Sequence, residues 1–148
     1  MRTDRYLFLA IVLVFLLVSI SSGVKVDLSP KEVVLNWTQV YGKDLLKAAY
    51  LTTLNFRNDQ SEEDWAFRYS NIIRQIKYEH LGGEIIDELT KEDKSLIVLQ
   101  AKIMTAAGGM KQKELYHLRK VDGLWLIDEI TIKEEEEFGK STELNDEA

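Results

Sequence analysis

The chain contains no cysteine, which excludes disulfides, thiolate catalysis, cysteine-ligated metal and the lipidated cysteine that anchors many small exported domains. Histidine is scarce. His80 and His117 are the only two, far apart and without ligand spacing, so no transition-metal site is expected, and nothing in the sequence implies a cofactor. Basic charge is not in excess either, with 19 Lys and Arg against 25 Asp and Glu. The acids concentrate at one end. Residues 134–148 hold seven of them and one lysine, which leaves residues 24–133 close to neutral. A near-neutral body without a basic stripe argues against nucleic acid as a partner, because neutralising phosphates takes clustered Lys and Arg. No internal repeat is visible.

Charge is absent from one long stretch. Tyr6 to Val24 runs for nineteen residues without a charged side chain, with Arg2 and Arg5 before it and Lys25 after it. At ~1.5 Å per residue a helix of that length spans about 28 Å, close to the ~30 Å hydrocarbon core of a bilayer. The run is apolar on every side, unlike an amphipathic surface helix. Two readings remain open. A single-pass membrane anchor fits the length, and Arg2 and Arg5 favour a cytoplasmic N-terminus with the domain outside, although Asp4 and Lys25 weaken that bias. A signal peptide fits the small residues Ser19 to Gly23, with secretion after cleavage near Ser21–Gly23. Without a lipidated cysteine, attachment to the membrane rests on this run or on a partner.

The next part reads as helix. Ser29-Pro30-Lys31-Glu32 is a capping box with proline at the first helical position, where its missing N–H costs nothing. Val33, Val34, Trp37, Val40 and Tyr41 follow at helical spacing, and Gly42 stops the run. Asn36-Trp-Thr38 matches a glycosylation sequon but falls inside this helix. Asp44 caps a second, short helix carrying Leu45, Leu46, Ala48 and Ala49. A connection over Asn55–Asp59 leads to Ser61 and the acids 62–64, which suit a helix N-terminus. Trp65, Tyr69, Ile72, Ile73 and Ile76 then share a face of a third helix, expected to end before Gly82-Gly83.

The pattern then changes to strands over Glu84–Lys91, Ser95–Ala106, Met110–Val121 and Leu124–Lys133. The separators are Glu92-Asp93, Gly108-Gly109 and Asp122-Gly123, the last two being two-residue hairpin turns by their chemistry. The expected fold class is therefore α+β: a transmembrane or signal helix, then three helices packed on a curved four-stranded antiparallel sheet. The domain is assigned to 25–133, after a segment 1–24 and before an acidic, disordered tail 134–148. With those turns, one sheet face carries Ile97, Leu99, Ala101, Ile103, Tyr116, Leu118, Trp125 and Ile127, a core face. The other is mixed and carries Val98, Gln100, Leu115, His117, Leu126 and Asp128. In the first strand either Ile86 or the pair Ile85/Leu89 points inward.

These segments resemble the nuclear-transport-factor-2-like superfamily, in which helices close over a strongly curved sheet to make a cone. Ser29–Val34 resembles its opening helix, Gly42–Ala49 its glycine–aspartate approach to the second helix, and Val121–Asp128 its closing hairpin. The match covers Pro30 to Lys133 and is closest to the small exported domains of unknown function in that group. The resemblance implies a fold and leaves activity open, because this fold hosts enzymes, carriers and assembly factors alike.

Two carboxylate arrangements follow from the expected register. His117 faces Asp128 on the mixed face, a cross-strand surface pair. Glu129 falls on the core row with Tyr116 beside it, where an unpaired dry carboxylate would be costly. Enzymes of the family with isomerase or cyclase activity use a cavity carboxylate, so Glu129 is the candidate general base and Tyr116 its hydrogen-bond partner. The plainer expectation is that the strand outruns its helical cover and Glu129 is solvated. His80, near Gly82-Gly83, is read as capping a helix end or as exposed there. Trp37, Tyr41, Trp65 and Tyr69 are read as core, and Glu134–Glu137 as a solvated acidic run. The preferred function is a non-enzymatic, membrane-anchored binding or assembly module outside the cytoplasm, with a homodimer through the mixed outer sheet face. The runner-up is a small-molecule enzyme using Glu129.

Overall fold

Among the described residues, three capped helices precede the sheet. The structure, a computed structural model, describes the backbone of residues 27–138 and the side chains of residues 27–133. Helix α1 (Pro30–Val40) starts on the expected capping box: Glu32 N–H donates to Ser29 Oγ at 3.3 Å and Ser29 N–H to Glu32 Oε2 at 2.8 Å. It ends where Gly42 takes φ +92°, packed so tightly on Tyr78 that a Cβ would lie 3.0 Å from the ring. Helix α2 (Leu45–Ala49) is capped by Asp44, which accepts from Lys47 N–H, and α3 (Glu62–Ile76) by Ser61, which accepts from Asp64 N–H. Lys77, in the left-handed conformation at φ 51°, closes α3 well before Gly82-Gly83. Ile72 and Ile76 stay exposed, because α3 turns only Trp65, Ala66, Tyr69 and Ile73 toward the core.

The remaining backbone is an antiparallel meander in the order β1-β2-β3-β4, with β1 Glu79–Lys91, β2 Lys94–Thr105, β3 Gly108–Val121 and β4 Leu124–Phe138. The turns at Glu92-Asp93 and Asp122-Gly123 stand where the sequence puts them. The middle turn does not. Thr105 pairs with Gly108, so Ala106-Ala107 is the turn and both glycines belong to β3. Leu99 consequently faces Glu114 rather than Leu118. That slip is an even number of positions, so the side chains of β2 and β3 keep their expected faces.

Irregularities in the outer pairings have larger consequences. A bulge between His80 and Gly83 starts β1 earlier than expected and keeps Gly82-Gly83 inside the strand. Gly83 lies so close to β2 that a Cβ would be 2.4 Å from the Gln100 carbonyl oxygen, an approach only glycine allows. A second bulge, at Ile86, separates Ile85, which packs on the core, from Leu89, which points outward. In β4, Leu118 pairs with Ile127 but His117 pairs with Glu129, so an extra residue is inserted at Asp128. Further irregularity follows between Gln112 and Lys113, and β4 then continues to Phe138. Residues 134–138 of the expected disordered tail are therefore paired strand, which backbone ladder bonds sustain without an apolar pattern. The rest of the tail, and the run Tyr6–Val24, lie outside the described residues.

All three helices sit on one face of the sheet. Val33, Val34, Trp37, Ala48, Ala49, Trp65 and Ile73 pack against Ile97, Leu99, Ala101, Tyr116, Leu118 and Ile127. The expected aromatic core is present, with Trp37 stacked on Tyr41 at 4.6 Å and Trp65 tilted on Tyr69 at 5.0 Å. The free edge of β4 is covered at Ile127, whose N–H donates to Leu51 O and whose carbonyl accepts from Thr53 N–H. Among the described residues no helix is long and apolar enough to cross a membrane.

Candidate functional site

The inner face of β3 carries polar side chains into the core. Period two along the strand places Gln112, Glu114, Tyr116 and Leu118 on the same side, and all four are buried. Glu114, 2% exposed, is the hub. Its Oε1 accepts from Gln112 Nε2 at 2.6 Å, and its Oε2 accepts from the Tyr116 hydroxyl at 2.5 Å. His80 Nε2 lies 3.3 Å from the same Oε2. The β1 bulge orients that ring: Gly82 N–H donates to His80 Nδ1 at 3.0 Å, so Nδ1 is the acceptor and Nε2 carries the proton given to Glu114. Burial pushes the Glu114 pKa up, but the His80, Tyr116 and Gln112 donors outweigh it and hold the carboxyl below its usual value. Burial, reinforced by the charge on Glu114, drives the Tyr116 and Tyr78 hydroxyls well above the ordinary tyrosine range.

This arrangement holds Glu114 as a carboxylate among three donors. Oε2 accepts two of these hydrogen bonds and Oε1 the third. No buried side-chain nitrogen or oxygen among the described residues lacks a partner. Nor do those residues contain a cluster of acids and histidines arranged to hold a metal ion.

An open cleft of about 480 Å³ lies elsewhere, between the segment after α2 and the β3–β4 hairpin. Its floor is rigid. Arg57, 5% exposed, donates from Nη1 to the carbonyls of Ala49 and Thr52, from Nε to Gln60 O, and pairs through Nη2 with Glu62 at 2.8 Å. The guanidinium thus ties the end of α2 to the start of α3. Thr53 Oγ1 donates to Asp128 Oδ1 at 2.6 Å and accepts from Phe56 N–H, pinning the β4 bulge to the same segment. Leu54, Val121, Leu124 and Leu126 supply apolar wall, and Arg119 lines the cleft as well.

No family model matches the chain, and no curated protein matches its sequence. Its fold does have solved counterparts. The chain is similar to Bd1075 of Bdellovibrio bacteriovorus. The superposition has a TM-score of 0.53 at 13% identity and covers 73% of this chain but only 39% of Bd1075. An NTF2-like protein of unknown function from Cytophaga hutchinsonii is also similar, with a TM-score of 0.47, 16% identity, and 74% and 92% of the two chains covered. At such identities the likeness is one of fold alone.

The sequence-expected residues divide. Tyr116 is inside, as expected, but its hydroxyl serves Glu114. Glu129 is not on the core row: the inserted residue at Asp128 gives the inner position opposite Tyr116 to Ile130 and turns Glu129 to solvent. There Glu129 accepts from the Thr131 hydroxyl at 3.3 Å, and its strand partner is His117. Asp128 accordingly does not face His117 and is taken by Thr53. His80 caps no helix; it lies in β1 and is 6% exposed. Glu114, Gln112 and Arg57 are the residues sequence reading missed. Glu114 had a signal, since counting back in twos from Leu118 and Tyr116 reaches it. Arg57, a lone base in a polar loop, had none.

Proposed function

We propose that this chain is a membrane-tethered module outside the cytoplasm that works by binding, in the first place to a second copy of itself, and not by catalysing a reaction. The supporting observation is the uncovered face of the sheet. Leu96 and Val98 on β2, Leu115 on β3 and Leu126 on β4 lie there half-buried, with Leu89 exposed beside them. No described helix packs on that side, since all three occupy the other. Charges of both signs border the patch, with Asp87 and Glu129 against Lys102, Lys111 and Arg119. A two-fold axis can set such a surface against itself, acids opposite bases around an apolar centre. Against catalysis stands the burial of Glu114 among three donors, and Glu129 lies on the opposite face of the sheet from Tyr116.

Tethering rests on Tyr6–Val24, with the N-terminus inside and the domain outside. Leu115→Lys tests the dimer: the full chain in nanodiscs or detergent is expected to fall from dimer to monomer by light scattering, with its circular dichroism unchanged. A wild-type monomer at high concentration would remove self-association. For the anchor the decisive measurement is the first residue of the mature protein, and Ser22 or Val24 there would overturn it.

A further inference from the structure

The chain enters the fold at one particular end. Leu28 lines a crevice of about 130 Å³ together with Tyr50, Leu124 and Trp125. Tyr50, Leu124 and Leu126 also line the larger cleft, so the two hollows share a rim. Large apolar side chains stand free on this rim: Tyr50 is 56% exposed, Leu54 53% and Val121 40%. Trp125 is half-buried beneath them, with Lys120 Nζ 5.7 Å from the centre of its ring. Arg119, exposed at the cleft, has no ion-pair partner among the described residues.

Chain length decides what this end can face. Only Lys25 and Val26 separate the last residue of the uncharged run from Asp27. At no more than about 3.6 Å per residue, Leu28 can stand no further than about 15 Å from Val24. If Tyr6–Val24 crosses a bilayer, the rim is confined to the neighbourhood of the headgroups. Its composition suits that place. Tyrosine and tryptophan favour the membrane–water interface, where each ring has an apolar body and a polar edge, and Lys and Arg extend from it toward water. Asp27, Asp122 and Glu62 at the same end offset Arg119 and Lys120, so the attraction is apolar and not electrostatic.

We propose that the rim formed by Tyr50, Leu54, Val121 and Leu124 rests in the interfacial layer of the bilayer that holds the N-terminal run. The occupant of the rim is thus a lipid surface. This rests on the anchored reading above and adds an orientation to it. The β3–β4 turn faces the membrane, and the β2–β3 turn at Ala106-Ala107, at the opposite end of the strands, points away. The uncovered sheet face then stands upright, free to meet a second copy in the same membrane.

The absence of cysteine gives a clean test. The full chain, as Val121→Cys, Leu54→Cys or Ala107→Cys, is reconstituted in phosphatidylcholine vesicles and labelled with a polarity-sensitive fluorophore. Labels at positions 121 and 54 are expected to be quenched several-fold more by nitroxide-bearing lipid than the label at 107, and to be shielded from a water-soluble quencher. High salt should leave this difference unchanged. Tyr50→Ser combined with Leu54→Ser should abolish the shielding at 121 while the protein stays with the vesicles in an alkaline wash. Retention in the wash with all three positions equally open to water would refute the docking and leave the anchor standing. Shielding without quenching by the lipid would also refute it, because a protein surface would then cover the rim. Loss of the chain in the wash would overturn the anchor, and the docking with it.

Discussion

Glu114 and Glu129 sit on adjacent strands of one sheet and have opposite surroundings. Glu114 is sealed against three donors under the helices, whereas Glu129 reaches solvent beside an exposed histidine. Neither residue type nor hydropathy separates them. What separates them is a single inserted residue in β4. Strand side chains alternate between faces, so one extra position exchanges inside for outside in everything that follows. Thr53 and the edge bonds at Ile127 hold the insertion from the side. The difference is therefore enforced by a loop that belongs to neither strand.

Removing the buried carboxylate is the strongest way to break the comparison. Glu114→Ala leaves the Gln112 amide, the Tyr116 hydroxyl and the His80 N–H without an acceptor, and is expected to cost about 3–5 kcal/mol in urea denaturation. Glu114→Gln keeps one acceptor oxygen but turns an N–H₂ toward existing donors, for an expected loss of about 2 kcal/mol.

Acid should act on the same residue. The folded-state pKa of Glu114 is depressed, so between it and the unfolded value of about 4.3 the unfolded chain binds more protons than the native one. The stabilisation is present above about pH 4.3 and is lost as the pH falls through the folded pKa. Urea midpoints measured across that window should fall in the wild type, and Glu114→Gln should lack this component of the slope. If the two slopes coincide, Glu114 is not held as a carboxylate.

A smaller effect tests the device that holds the bulge. Thr53→Val removes the donor to Asp128 and the acceptor for Phe56 N–H, and about 2 kcal/mol is expected from hydrogen bonds of this kind. The sharper readout is nuclear magnetic resonance of the Glu129 and Ile130 amides. Their shifts should move if the bulge relaxes toward regular pairing, and unchanged shifts would show that the edge bonds at Ile127 suffice alone.

Much of this arrangement was legible in the residues, and the part that was not has a physical cause. The caps at Ser29, Asp44 and Ser61, the turns at Glu92 and Asp122, and the inner row from Ile97 to Leu118 follow from local chemistry and period two. The middle turn was misplaced because Gly108-Gly109 has better turn chemistry than Ala106-Ala107, yet the even slip left the faces of β2 and β3 correct. The bulges were not legible. An inserted residue leaves no periodic trace when the side chains around it, such as Ile127, Asp128, Glu129 and Ile130, fit either register. Glu129 was misplaced for that reason, and His80 because Gly82-Gly83 reads as a helix stop although both glycines lie inside β1.

The weakest expected effect concerns Glu129 itself. Glu129→Gln removes a solvated charge opposite His117, and surface pairs of this kind are screened by water and salt. At low protein concentration the change should stay within about 0.5 kcal/mol. The uncovered sheet face makes this outcome conditional. Glu129 lies at the border of the patch proposed to meet a second copy, so in a dimer it would lose water and gain opposing charges. The effect of Glu129→Gln should then grow with protein concentration, while that of Glu114→Ala should not, because Glu114 is already enclosed within one chain. A large loss in the dilute monomer would mean that Glu129 has work within its own domain. A loss that appears only on concentration would place that work at the contact between two copies.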